Sequence, residues 1–135
     1  MYWKYCLNVI AKLPSFIKVR YKGAINGGKI PELLKTYHFL LMPSEGENFG
    51  HAIIESLSAG TPFIISENTP WKLLKVKKIG CDVSLNKPIN LYHAIEEALK
   101  MEQESYDLWS SNAFGFSNES HQNKEMFEQN INLFK

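Results

Sequence analysis

Two cysteines are all that 135 residues supply, and Cys6 and Cys81 stand too far apart for any metal-ligand or redox spacing. A disulfide-stapled scaffold is therefore excluded, and both read as buried thiols in a reducing, cytoplasmic setting. An excess of charge is also missing. Fifteen basic residues against fourteen acidic ones leave a net charge of +1, which gives no electrostatic argument for nucleic acid or an anionic surface. Apolar runs extend over only a few residues, too short to span a bilayer. No basic stretch leads into a long apolar one near Met1, so no signal peptide is visible. Internal repeats and low-complexity segments are absent too. What remains is an ordinary globular composition, 44% apolar and 21% charged, and a length suited to one domain.

Periodicity divides that domain into alternating helices and strands. Trp3, Cys6, Leu7, Ile10 and Leu13 recur at helical spacing until Pro14. Ile17, Val19 and Tyr21 alternate with Lys18, Arg20 and Lys22, which predicts a strand with one wet face near a sheet edge. Gly27-Gly28 reads as a turn, and Pro31, Leu33, Leu34 and Tyr37 as a short helix with proline in its first turn. His38–Met42 and Pro62–Ile65 are apolar without alternation, as parallel strands covered on both faces would be. Between them Asn48 is a candidate cap for a helix with Ala52, Ile53 and Leu57 inward, and Gly60 a candidate stop. Cys81, Val83 and Leu85 form a second edge-like strand, and Asn90 caps a helix carrying Leu91, Ile95, Ala98 and Leu99. Tyr106, Trp109, Ala113 and Phe116 suggest a further helix, weakened by Gly115. Beyond the polar stretch Ser117–Asn123, Phe127, Ile131 and Phe134 make a last helical face. The whole reads as α/β with a mainly parallel sheet, residues 1–116 forming the domain and 117–135 a helical extension. Ligands of such sheets bind beyond the carboxyl ends of the strands.

The chemistry concentrates at one such end. Glu47-Asn48-Phe49-Gly50-His51-Ala52-Ile53-Ile54-Glu55 brackets a Phe-Gly turn with two carboxylates where a strand gives way to a helix. Backbone N–H groups and the positive end of a helix dipole favour an anion there. Carboxylates beside it would repel phosphate, so they suit hydroxyl groups instead. Anion plus polyol describes a nucleotide-sugar.

The ordered set Pro43-Ser44, Glu47-Asn48-Phe49-Gly50, Glu55, Ala59-Gly60-Thr61-Pro62 and Phe63-Ile64-Ile65-Ser66 resembles the signature of retaining glycosyltransferases of family four, group one, with the GT-B fold. The likeness runs from about Ile17 to Leu99. It implies the Rossmann-like, C-terminal, donor-binding half of such an enzyme, using a nucleoside diphosphate sugar as donor and no metal or other cofactor. By the resemblance, Glu55 accepts from the ribose hydroxyls, which one carboxylate can serve together. Glu47 is the catalytic candidate, contacting the transferred sugar and stabilising positive charge at its reacting carbon. A glutamate there is also favoured by the helix dipole, and both readings can hold. Asn48, Phe49, Gly50 and His51 would line the donor site, chiefly through backbone N–H groups; His51 is equally compatible with a structural role. Ser44 ends the strand at the site, although serine after proline is also common turn chemistry. The Gly23-Ala24-Ile25 segment would read the base, placing Ile25 in the binding set.

The sequence departs from the family pattern in two places. Thr69-Pro70-Trp71 replaces the usual glycines and glutamate after the second strand, and Trp71 either stacks on a sugar or covers the core. The family's Gly-Arg…Lys-Gly loop, which clamps the diphosphate, has no counterpart, and neither do the two strands around it. The expectation is thus a sheet without its first strands and a saccharide or lipid-linked acceptor held by a further N-terminal domain. It also includes possible self-association through unpaired edges, and no turnover by the isolated chain. A catalytically inert α/β interaction module and a GT-B epimerase are the alternative readings.

Overall fold

The computed structural model describes residues 1–46 and 50–122. Three strands, β1 (Leu40–Met42), β2 (Phe63–Ser66) and β3 (Gly80–Val83), form a parallel sheet in the order β1-β2-β3. Leu40 lies opposite Phe63 and Phe63 opposite Gly80, so the three strands begin level. Parallel neighbours need crossovers, supplied by the helices α3 (His51–Ser58) and α4 (Leu74–Lys77). Helices α1 (Tyr2–Ala11) and α2 (Ile30–Leu34) precede the sheet, while α5 (Pro88–Leu99) and α6 (Gln103–Gln122) follow it.

All four residues of β2 are buried, as expected for a central strand without alternation. Phe63 and Ile65 face a core completed by Ile53 and Leu57 of α3, Leu74 and Ile79 around α4, and Ala113 of α6. On the opposite face Ile64, Cys81 and Val83 pack against Ala94, with Leu91, Ile95 and Ala98 of α5 around them. Each large aliphatic or aromatic side chain withdrawn from water in this way stabilises the fold by about 1.5–3 kcal/mol.

The second layer stops short of β1. Leu41 is 46% exposed, so β1 is covered on one face only, contrary to the two-sided cover that its apolar run suggested. Between Leu41, Phe39, Ile64, Ile95, Leu99 and Tyr106 lies a groove of about 450 Å³. His38, expected to open the strand, lies just before it, exposed, with its ring 5.0 Å from that of Tyr106.

Other expectations also change. Residues 17–21 form no strand: Ile17, Val19 and Tyr21 are each 45% exposed or more, and no ladder among the described residues reaches them. Alternation marks a strand only where a neighbour accepts its hydrogen bonds. Cys6 is only partly buried, because α1 has no buried residue. Pro88 starts α5 two residues before Asn90, whose side chain donates instead to the Ser84 carbonyl (3.1 Å). The third strand begins at Gly80 and ends before Leu85. Helix α6 passes through Gly115 without a break and carries the polar residues from Ser117 to Gln122 as helix. Phe127, Ile131 and Phe134 lie outside the described residues.

Candidate functional site

Helix α3 opens above the carboxyl end of β1, beside the loop that follows β2. Its cap is Gly50, not Asn48, and Gly50 takes the left-handed conformation (φ +70°, ψ +56°). The turn is tight as well as left-handed. A β-carbon on Gly50 would lie 2.7 Å from Ile53 Cδ1 and 3.3 Å from Trp71 Nε1, so glycine meets both demands without strain or displacement of either side chain. The Gly50 carbonyl accepts from the N–H groups of Ile53 (2.8 Å) and Ile54 (3.2 Å). Those two bonds close the first turn of α3 directly on that glycine.

His51 stands exposed at the first helical position, and Glu55 follows one turn later, half-buried on the same stripe of the helix. Ser44 lies two residues beyond β1, and its Oγ is buried without a hydrogen-bond partner among the described residues. An orphaned hydroxyl costs about 1–3 kcal/mol, so a ligand group that engages it recovers that penalty. Ser44, Gly50, His51 and Glu55 thus follow one another from the end of β1 into α3. Ile25 stands apart from that run in sequence, 36% exposed in the irregular segment before the 3₁₀ turn Gly27–Lys29. Glu47, Asn48 and Phe49 lie outside the described residues. Among the described residues no group of three or more His, Cys, Asp or Glu is placed to hold a metal ion.

Beneath the site runs a buried polar chain that the sequence reading treated only as a helix stop. Ser56 Oγ donates to the Thr61 carbonyl (2.6 Å), and Thr61 Oγ1 donates to the Leu34 carbonyl (2.9 Å). Gly60, left-handed at φ +68°, offers its carbonyl to Ser110 Oγ of α6 (2.6 Å). Ser58 and Ser117 hydroxyls meet at 3.0 Å. These bonds tie the far end of α3 to α2, β2 and α6, so its near end is presented on a fixed axis. The small residues Ser56, Ser58 and Gly60-Thr61 were the available signal, since hydroxyls on a buried helix face must find carbonyls.

Ionisable groups with shifted affinities for protons lie on the flanks. Burial pushes the Cys81 thiol up to about 11, offset in part by Lys75 and reinforced by Glu97 and Asp82. Lys75 is itself raised by its hydrogen bond to Glu97 (3.0 Å). Burial, with Asp107 nearby, raises Tyr106.

An open parallel sheet with a glycine-capped helix at the carboxyl end of a strand defines an α/β ligand-binding domain. The family model described as glycosyl transferases group 1 matches residues 6–116, and the chain belongs to that family. The Rossmann-like reading of the fold holds accordingly. Glycosyl transfer is the family's reaction in general terms, and it implies a nucleotide-sugar donor and an acceptor. No curated protein matches the chain.

Proposed function

We propose that this chain is the donor-binding part of a retaining transferase that moves a sugar from a nucleoside diphosphate to a saccharide or lipid-linked acceptor. One observation carries the reading: the left-handed Gly50 turn opens α3 at the strand ends, with an orphaned Ser44 hydroxyl before it and the Glu55 carboxylate one turn inside. The diphosphate sits at the first turn of α3, where N–H groups and the helix dipole offset its charge. Glu55 accepts from the ribose hydroxyls, Ser44 from or to a hydroxyl of the donor, and His51 borders the sugar. Ile25 lines the base. Glu47 stabilises the positive charge that develops at the anomeric carbon.

In the reaction the bond from that carbon to the diphosphate oxygen breaks, and the acceptor oxygen bonds on the same face. The acceptor proton passes to the departing phosphate. The donor needs no resident cofactor in this scheme. A buried thiol at Cys81 fits a cytoplasmic, reducing setting.

Calorimetric titration with uridine and guanosine diphosphate sugars tests the assignment. Charge-assisted hydrogen bonds contribute about 1.5–3 kcal/mol, so Glu55→Ala is expected to weaken binding roughly ten- to a hundredfold. Glu47→Ala should lower turnover more than affinity wherever transfer is measured. Unchanged donor affinity in Glu55→Ala refutes the ribose role.

A further inference from the structure

The loop between β2 and α4 is built more firmly than a connection requires. Ser66 is fully buried, and its Oγ accepts the Asn68 N–H at 3.0 Å. Thr69, 4% exposed, accepts the Trp71 N–H on its Oγ1 at 3.3 Å. Lys72 Nζ donates back to the Glu67 carbonyl, and Leu73 adopts the left-handed conformation (φ +58°), although it is not glycine. A bulky residue in that conformation is uncommon and persists only where its surroundings over-determine it. All of this holds one large side chain in place.

Trp71 is that side chain. Its indole meets the buried Phe63 ring edge-on, with centroids 6.4 Å apart. Its Nε1 edge reaches the Gly50 turn, 3.3 Å from where a β-carbon there would sit. The residue is only partly buried. It touches the core through Phe63 on one side and the mouth of α3 at Gly50 on another.

We propose that Trp71 is a specificity-determining wall of the donor crevice, presenting an aromatic face to the sugar ring of a nucleoside diphosphate hexose. The inference rests on the donor-site reading above. Carbohydrate rings carry an apolar face of C–H groups that packs on an indole. An indole already fixed by its loop loses little conformational freedom when the sugar arrives. The diphosphate binds at the N–H groups of α3, and the attached sugar extends across Gly50 onto the ring. Trp71 thus acts on the sugar, not on the nucleotide.

The discriminating quantity is the affinity gained by adding the hexose. Uridine diphosphate, uridine diphosphate glucose, guanosine diphosphate and guanosine diphosphate mannose are titrated calorimetrically into the wild-type chain, Trp71→Phe and Trp71→Ala. Contacts of this kind predict that Trp71→Ala lowers the hexose-to-free-diphosphate affinity ratio about three- to tenfold, while Trp71→Phe largely preserves it. A second measurement uses Trp3→Phe/Trp109→Phe, in which Trp71 is the sole tryptophan, and expects its emission to change more with the diphosphate sugar than with the diphosphate. A merely structural tryptophan would shift stability without moving either quantity. If the sugars bind and neither the ratio nor the emission responds, the inference fails and the donor site stands. If no probe binds the wild-type chain, both fail together. Should Trp71→Ala lose its fold, the emission measurement decides the matter.

Discussion

At Gly80 the sheet leaves no room for a side chain. A β-carbon there would lie 2.3 Å from the Phe63 carbonyl oxygen and 2.9 Å from its ring. The first obstacle is backbone in the central strand, which cannot swing aside as the Ile53 Cδ1 beside Gly50 can. Overpacking a well-filled core costs typically about 1–3 kcal/mol, and Gly80→Ala is expected at or above the top of that range. Urea denaturation with the wild-type m-value retained measures it, and a loss below about 1 kcal/mol contradicts this packing. Gly50 is demanded for another reason, its left-handed φ together with the approach of Trp71. Neither glycine is singled out by sequence pattern as a close contact. A glycine's neighbours come from other elements, and one-dimensional spacing does not name them.

The helices divide into those anchored by packing and those carried by local propensity. Helix α3 buries Ile53, Ser56 and Leu57 and is tied at its far end through Thr61 and Gly60. Helix α6 is anchored by Ala113 in the core, by Ser110 on the Gly60 carbonyl and by Lys77 over the Phe116 ring at 4.7 Å. That anchoring explains why it runs on through Gly115, which the sequence marked as a weak point. Among the described residues, nothing beyond its chain neighbours and the adjoining backbone of its own helix lies within 4 Å of a β-carbon added at Gly115. Gly115→Ala is therefore expected to stabilise the protein by about 0.5–1 kcal/mol through helix propensity alone. The midpoint of chemical denaturation should rise with the slope unchanged, and a fall would show that the helix is strained there. Residues 17–21 make the opposite case: good alternation, but no ladder among the described residues reaches them and they form no strand.

For the molecule as a whole, the shifted protonation equilibria all point one way. Cys81 is held at about 11 against an ordinary 9.0, and Lys75 and Tyr106 are raised as well. For each, the folded state binds its proton more tightly than the unfolded chain. The associated stability is complete below the unfolded pKa and disappears as pH rises through the folded one. Stability should therefore fall between about pH 9 and 11, with Cys81 contributing up to about 2–3 kcal/mol. Denaturation midpoints measured across that window check it, and Cys81→Ala should flatten the thiol part of the decline. A profile flat from pH 8 to 11 would remove the buried-thiol explanation. Glu97 and Asp82 face Cys81 with Lys75, so the window belongs to the group and not to the thiol alone.

By itself the sequence determined the class of fold, the order of the three strands along the chain, the burial of the Pro62–Ile65 run and the family. It also carried the proposed roles of Glu47 and Glu55, through a motif whose parts are adjacent in the chain. Each of these depends on near-neighbour spacing, which a linear reading can follow. Only the tertiary structure decided that β1 is left open on one face, that Gly50 caps α3, and that Thr61 joins Leu34 to Ser56. The same holds for the meeting of Trp71 with Gly50, 21 positions apart in the chain. Those facts depend on which elements pack together, and a pair of side chains from different loops acquires its distance only when the sheet has set both loops at the same strand ends.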